Sequence, residues 1–473
     1  MLTLAHLVEA LTGHKVEGAG HVITDAAIDS RLVIPGALFV ALPGERSDGH
    51  DFVGVAFEHG ASVALIEKDL PQPFRVVDLR QPLPTDGRIE WSLPLCLRVE
   101  NSLTALQQIA RHWRDQLTLR VIGVTGSVGK STTKELAADV LERRYRTLRN
   151  PGNQNNEIGV PLSLLRLTES HERAVLEMGF YVPGEIAFLC NLARPSVGVI
   201  TNVSQVHMER AGSLEAIVAG KTELVANLPP APEGVAVLNH DEPLVRGMAQ
   251  HTPARVFHYG LSPEADLWAG EVEGLGLEGV RFVLHYQGEA VHVRVPLLGR
   301  HSVHTALRAT AVGLIEGLTW DEIVHGLQSS RSQLRLVAVQ GPNGSLILDD
   351  TYNAAPASVT AALNLLAELE GRRVAVLGDM LELGEFEEQG HRLIGARAAE
   401  VVDLLVAVGV RARWIADEAV RAGLSSSAVV LHPDSPSAVD GLRQLIREGD
   451  VVLVKGSRGM QMEQIVTGLE ETA

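Results

Sequence analysis

The chain has 473 residues, of which 45% are hydrophobic, 21% charged and 4% aromatic, and at roughly 150 residues per domain it is long enough for about three domains. That composition builds folded cores and excludes disordered and fibrous classes. Lys and Arg number 41 against 58 Asp and Glu, a formal charge of −17, so the surface repels phosphate backbones and nucleic acid is not an expected partner. The two cysteines, Cys96 and Cys190, lack CxxC or Cys/His spacing, which excludes a disulfide scaffold or zinc ribbon and points to a reducing compartment.

The opening MLTLAHLVEALTG places Leu4, Leu7, Val8 and Leu11 at the spacing of an amphipathic helix. It lacks the basic leader and small-residue cleavage site of a secretion signal, and no segment reaches the roughly 20 apolar residues of a membrane span. A cytoplasmic protein without membrane insertion is expected. Residues 1–99 alternate short apolar runs with turns (ALFVAL, GASVALIE, FRVVDL), and the Pro- and Gly-rich residues 81–94 read as a loop. A helical stretch at 102–117 leads to the strand LRVIGV, the Gly-rich turn TGSVGK and the helix STTKELAADVLERR. The strand-like runs RAVLEMG, SVGVITNV and GVAVLN follow, separated by helical patterns as in a parallel sheet with crossover helices. Between about 266 and 296 the period switches to two, the mark of a hairpin-bearing β insert. A third βα series starts near 330 with SLILDD, RRVAVLGD, DLLVAVG and DVVLVKGS.

The strongest local signal is Thr125-Gly126-Ser127-Val128-Gly129-Lys130-Ser131-Thr132, set between a strand and a helix. Glycines let backbone N–H groups turn inward around phosphate oxygens, and the helix N-terminus adds partial positive charge. Lys130 can reach the outer phosphates and the Ser131 hydroxyl is placed for Mg²⁺. The longer GxxxxGK(S/T) spacing fails because Val124 occupies its first position; the shorter TGxxGK(S/T) form is present. A nucleoside triphosphate site is expected here.

Other residues are less specific on their own. Glu177 ends a strand, and His207 with Glu209 follows the next one, so a carboxylate and an imidazole could hold Mg²⁺ beside phosphates. Taken alone, His207 reads more readily as a hydrogen-bonded loop residue than as a ligand. Lys221, in IVAGKTELV, reads as a solvated helix lysine. The run Asn153-Gln154-Asn155-Asn156-Glu157 suits either a polar loop or a capping cluster.

Taken together, TGSVGKST, NPGNQNNEIGVPLSLLRL, LEMG, HMERAGSLEAIVAGKTEL, NHDEP, GRHSVHTA, DDTYNAAP, VLGDMLELGE and VKGSR occur in the order seen in Mur ligases. With the earlier DSRLVIPGALFVALPGERSDGHDF, the chain resembles that family over essentially its whole length. It looks most like the branch that joins D-alanyl-D-alanine to UDP-N-acetylmuramoyl-tripeptide in peptidoglycan precursor synthesis. A DNPR-like motif, expected of the branch that adds a single diamino acid, is not found.

The resemblance implies an α/β, three-domain fold: residues 1–99 as an N-terminal UDP-substrate-binding domain, 100–329 as a central P-loop parallel-sheet domain binding ATP, and 330–473 as a C-terminal Rossmann-like domain. It implies ATP on Thr125, Gly126, Ser127, Val128, Gly129, Lys130, Ser131 and Thr132, with Asn239 at the adenine, Asp350 at the ribose and Arg335 closing on the γ-phosphate. Ser131, Glu177, His207 and a carbamate on Lys221, formed from CO₂, would hold two Mg²⁺ ions. Lys130, His207, Lys221 and Arg335 would carry the catalysis. Ser30, Arg31, Asn155 and Asn156 would meet the UDP substrate, and Lys455, Ser457 and Arg458 the dipeptide. A monomer is expected. The family pattern GxHNxxNA reads GRHSVHTA here, with the hydroxyls of Ser302 and Thr305 in place of two amides, and Ala355 stands where Asn is usual. Two alternatives stay open: another Mur or folylpolyglutamate-type amide ligase adding a different amino acid, and a nucleotide-binding switch without ligase chemistry.

Overall fold

Apolar runs of four to seven residues, buried on both faces, form the central strands of the sheets in a computed structural model of the chain. The structure describes residues 1–44, 47–71, 73–83, 89–205, 208–329 and 337–470. By internal contacts the chain divides into two units, Met1–Gly123 with Tyr145–Phe180 and Gly184–Val197, and Val124–Arg144 with Tyr181–Pro183 and Gly198–Ala473.

Among the described residues there are three sheets. The first holds β1 (Ala26–Ala27), β2 (Leu38–Val40), β3 (Val63–Ile66), β4 (Val76–Asp78) and β5 (Leu95–Arg98), all parallel, in the order β1-β2-β3-β5-β4. Its buried strands pack with Ala37, Val53 and Ala56 into one core. The second sheet comprises β6 (Arg120–Thr125), β7 (Thr147–Arg149), β8 (Arg173–Glu177), β9 (Val197–Ile200), β10 (Val235–Asn239), β11 (Arg255–Gly260), β12 (Leu267–Gly274), β13 (Val280–Tyr286) and β14 (Glu289–Val295). Their order is β14-β13-β12-β11-β10-β9-β6-β8-β7. The period-two segment is the antiparallel β12-β13-β14 meander, with Tyr286 and Glu289 paired across the last turn.

The third sheet has β15 (Val337–Gln340), β16 (Leu346–Asp349), β17 (Arg372–Gly378), β18 (Leu404–Val408), β19 (Val429–His432) and β20 (Asp450–Lys455) in the order β15-β16-β20-β17-β18-β19. All neighbours are parallel except β15 with β16. Side-chain alternation explains why these strands read as unbroken apolar runs. Val374, Val376, Val406, Val452 and Val454 face one core, while Ala375, Leu377, Leu405, Ala407 and Leu453 face the other. The chain passes from β16 over the place of β20 to β17 and outward through β18 to β19 before β20 returns to fill the gap, and in open α/β sheets of this kind ligands bind at strand carboxyl ends.

The amphipathic start is the helix Leu4–Thr12, with Leu4, Leu7 and Val8 buried. The helix after the Gly-rich turn is Lys130–Leu141, three residues shorter at its end than its sequence pattern. Among the described residues no helix is long and apolar enough to cross a membrane.

Candidate functional site

β6 ends on Thr125, and the helix Lys130–Leu141 begins after a loop whose last residue, Gly129, has φ +82°. Gly126 has φ +145°, and a Cβ there would stand 1.9 Å from Thr201 Oγ1, so close approach and backbone both require glycine. The loop is sewn to the segment after β9. Thr201 N donates to Thr125 O at 2.9 Å and Thr201 Oγ1 to Val128 O at 2.7 Å. Asn202 O accepts from Ser127 N, while Asn202 Oδ1 accepts from Val128 N, both at 2.9 Å. Ser127 Oγ donates to Ser204 O and accepts from Ser204 N. Lys130 Nζ arches back over the turn, donating to Gly126 O at 2.9 Å and Ser127 O at 3.2 Å. Ser131 and Thr132 occupy the first helical turn. A pinned turn, a helix N-terminus and an ammonium make a site for an anion.

Lys221 projects from the helix Leu214–Ala226 and is 1% exposed. Burial, and next the positive charge of Lys130, hold its pKa well below the ordinary lysine value. The residue is therefore not the solvated lysine that its local sequence resembles. Asn239 ends β10, and its Oδ1 accepts from Asp241 N at 3.0 Å. Asp241 in turn accepts from the N–H groups of Leu261 and Ser262 and lies 3.8 Å from His304 Nε2. The two hydroxyls that replace amides are turned inward. Ser302 Oγ donates to Leu298 O at 2.6 Å, and Thr305 Oγ1 accepts from Arg308 Nη2 at 2.9 Å.

At the carboxyl ends of the third sheet, Lys455 Nζ donates to Asp350 Oδ2 at 2.6 Å and to Asn353 O at 2.9 Å. Lys455 is 2% exposed, so its charge is committed to Asp350 inside the fold. Ser457 is also buried; its Oγ accepts from Leu381 N and donates to Ala354 O. Of these three dipeptide candidates only Arg458 is exposed, its guanidinium carbon 5.6 Å from the Tyr352 ring centre.

In the first unit, Glu177 ends β8 and is buried. Asn150 grips its backbone from both sides, accepting from Glu177 N at 2.9 Å and donating to Glu177 O at 3.1 Å. Asn155 Nδ2 donates to Glu177 Oε1 at 2.8 Å. Asn156 caps the helix Gly159–Leu165, its Oδ1 accepting from Gly159 N at 2.9 Å. One amide of the run thus orients the carboxylate and the other is a cap, so both readings of that run have a share. Ser30 opens a short helical turn with Arg31, whose guanidinium pairs with Asp29 (2.9 Å to Oδ1, 2.6 Å to Oδ2) and holds that carboxyl below its usual range.

His207 and Arg335 lie outside the described residues. Among the described residues no three His, Cys, Asp or Glu side chains converge as metal ligands. Mg²⁺ needs fewer: it keeps waters and takes one or two protein oxygens together with substrate phosphates. A buried carboxylate with one oxygen fixed by Asn155, and the Ser131 hydroxyl, are hard oxygen donors of that kind. Sequence reasoning passed over Asn150, Thr201, Asn202 and Arg308. The pair Thr201-Asn202, directly after a buried strand, was the signal available for two of them.

Family models match three stretches: the catalytic domain of the Mur ligase family at residues 22–114, the Mur ligase middle domain at 124–313, and the Mur ligase glutamate ligase domain at 334–458. The UDP-N-acetylmuramoyl-tripeptide–D-alanyl-D-alanine ligase of Bacillus subtilis (strain 168) is 36% identical over 455 residues, covering 95% of this chain and 94% of the relative. Among solved structures, MurF from Acinetobacter baumannii superposes with a TM-score of 0.83 at 30% identity, covering 99% of this chain and 98% of that one. MurF ligase from Thermotoga maritima in complex with ADP gives 0.77 at 28% identity, covering 97% of both. With relatives matched from end to end and the glycine turn in place between strand and helix, the chain belongs to the Mur ligase family.

Proposed function

We propose that this enzyme joins D-alanyl-D-alanine to the terminal carboxylate of UDP-N-acetylmuramoyl-tripeptide, giving the pentapeptide, ADP and phosphate. The observation that carries the reading is the phosphate loop, pinned to Thr201 and Asn202 and crossed by Lys130, in a chain that matches a relative of that name over 94% of its length.

Joining a carboxylate to an amine in water is uphill, and a carboxylate is a poor electrophile. The tripeptide carboxylate attacks the γ-phosphorus of ATP and ADP leaves, producing an acyl phosphate. The dipeptide amine attacks the acyl carbon, loses a proton, and phosphate departs. Phosphoryl transfer of this kind depends on positioning and charge neutralisation. The backbone amides of the loop and Lys130 hold the triphosphate, and Asn239 and Asp350 take the adenine and ribose. Arg335, as the family resemblance implies, would meet the γ-phosphate. Ser131 and Glu177, with His207 as the family resemblance implies, would hold Mg²⁺, which would offset the repulsion between carboxylate and phosphate. Asn155 fixes the Glu177 carboxylate for that task.

Lys221 completes the set as a carbamate. Its burial and the neighbouring Lys130 favour the neutral amine, which is the form that adds to CO₂; a proton leaves, and a cation site becomes an anionic oxygen donor. Ser30 and Arg31 receive the UDP end of the substrate, with Asn155 and Asn156 shaping the adjoining loop, and Arg458 meets the dipeptide. The chain acts as a cytoplasmic monomer.

The test is phosphate release by purified protein with ATP, Mg²⁺ and UDP-N-acetylmuramoyl-tripeptides. D-alanyl-D-alanine should stimulate release and single amino acids should not. Stimulation by a single amino acid instead would identify a different amide ligase. No ATP consumption with any amine would leave a nucleotide-binding protein without ligase chemistry.

A further inference from the structure

Arg308 sits within the helix Val303–Ile315, in TALRATAVG, and is 4% exposed. Its guanidinium lies against the phosphate loop, for a Cβ on Gly129 would stand 3.4 Å from Arg308 Nη2. Nη1 donates to Thr201 O at 3.1 Å and to the Tyr259 hydroxyl at 3.3 Å, and Nη2 donates to Thr305 Oγ1 at 2.9 Å. All three acceptors are neutral. The buried Nε has no hydrogen-bond partner, and among the described residues no carboxylate forms an ion pair with this arginine. The charge nevertheless reaches its surroundings: after burial, Arg308 is the next cause that holds the His304 imidazole below its ordinary range.

The carboxylate that answers Arg308, Glu242, acts on it only through space, and a buried cation without a hydrogen-bonded counter-ion is unfavourable. The fold gives Arg308 only neutral groups to hydrogen-bond, with Glu242 the carboxylate it acts on at longer range, whereas the loop beside it is shaped to hold a polyanion. Thr201 joins the two features. Its carbonyl takes the guanidinium while its hydroxyl donates to Val128 O, so one residue ties Arg308 to the loop backbone. Thr305 turns its hydroxyl to the same guanidinium, at a position where the family pattern carries an amide.

We propose that Arg308 is a positioning residue for the nucleotide's polyphosphate: it anchors the phosphate loop through Thr201 and supplies, from behind Gly129, a standing positive charge that bound phosphates offset. This rests on the reading of the loop as a nucleoside triphosphate site. The role is one of charge as well as shape, and it acts on phosphates and not on the nucleoside.

The experiment compares Arg308→Met, which keeps volume and removes charge, with Arg308→Lys, which keeps charge and removes the fork, both in the full chain. Calorimetry gives Kd for ATP, ADP and adenosine, and phosphate release gives KM for ATP and kcat. Arg308→Met should weaken ATP and ADP about tenfold, leave adenosine unchanged and hold kcat within about threefold, while Arg308→Lys recovers most of the loss. Wild-type affinity for ATP and ADP in Arg308→Met would overturn the proposal. So would an equal loss for adenosine, or a lysine variant as weak as the methionine one, since either marks a merely structural arginine. If Arg308→Met does not fold, Arg308→Gln against Arg308→Lys reads the same contrast. Wild-type protein that binds neither nucleotide would overturn the site itself, whereas normal wild-type binding with an unaffected variant would overturn only the part assigned to Arg308.

Discussion

Gly126→Ala adds one methyl group where the phosphate loop touches the segment after β9. Its Cβ would lie 1.9 Å from Thr201 Oγ1 and 3.0 Å from Thr201 Cβ and Thr201 N. Thr201 cannot simply rotate away. Its hydroxyl donates to Val128 O at 2.7 Å and its N–H donates to Thr125 O at 2.9 Å. The φ of +145° adds strain that alanine does not tolerate. Backbone strain of this kind costs about 1–3 kcal/mol, overpacking about 1–3 kcal/mol, and the displaced Thr201 hydrogen bond about 1 kcal/mol. The lower ends sum to roughly 3 kcal/mol, and opening the loop relieves it while β6 and the following helix stay formed. The burden therefore falls on nucleotide affinity, where about 3 kcal/mol is roughly a hundredfold. Calorimetric binding of ADP and the KM for ATP measure it, with thermal unfolding of the nucleotide-free protein as the control for global damage. Gly126→Ala combined with Thr201→Ala removes the 1.9 Å contact but keeps the backbone strain, so it should recover part of the loss. Wild-type affinity in the single variant would refute the reasoning.

Two further outcomes follow from buried titratable groups. Lys221→Ala should lose most ligase activity and regain part of it with added short-chain carboxylates, measured as phosphate release; full activity without them would remove the carbamate. His391 is buried with Nδ1 donating to Glu387 O at 2.7 Å and Nε2 accepting from Met380 N at 3.0 Å, and burial above all holds its pKa below the ordinary 6.5. The unfolded imidazole is protonated first as pH falls, so unfolding takes up a proton just below pH 6.5 and native stability drops there. His391→Gln, whose side-chain oxygen can accept from Met380 N, should flatten the change in denaturant stability between about pH 7.5 and about pH 5.5. An unchanged slope would exclude His391 as the source.

The parts of the fold that were legible in the sequence are those with two-sided burial or strict alternation. RRVAVLG and DVVLVK announce β17 and β20 because both faces of the sheet are covered, and GVRFVLHY announces β13 by its period of two. β7, β15 and β19 gave no such signal: they are edge strands of three or four residues without a fully buried position. The glycine turn was legible as a motif, but its anchor Thr201 was not, since that contact is made across 73 residues or more. Lys221 misled, and Arg308 went unremarked, for a shared reason. Each stands in a helical stretch of ordinary composition, and only packing against other elements shows that its charged end is enclosed. The amides at 150–156 could not be ranked by residue type, because capping a helix and orienting a carboxylate call for the same side chain.

The net charge of −17 and a site for polyphosphate fit together once distance and burial are separated. At physiological ionic strength the Debye length is about 8 Å, so dispersed surface carboxylates exert little force on a nucleotide already near the loop. Some of those carboxylates also carry their own cation: Asp48 pairs with Lys68 and Glu322 with Arg144. Lys130 and Arg308 differ in kind. One arches over the turn on its own carbonyls, the other lies enclosed beside Gly129, and water screens neither as it screens a surface lysine. Affinity at such a site is set by a few fixed groups within several ångströms of the phosphates, which leaves the rest of the surface free to be acidic.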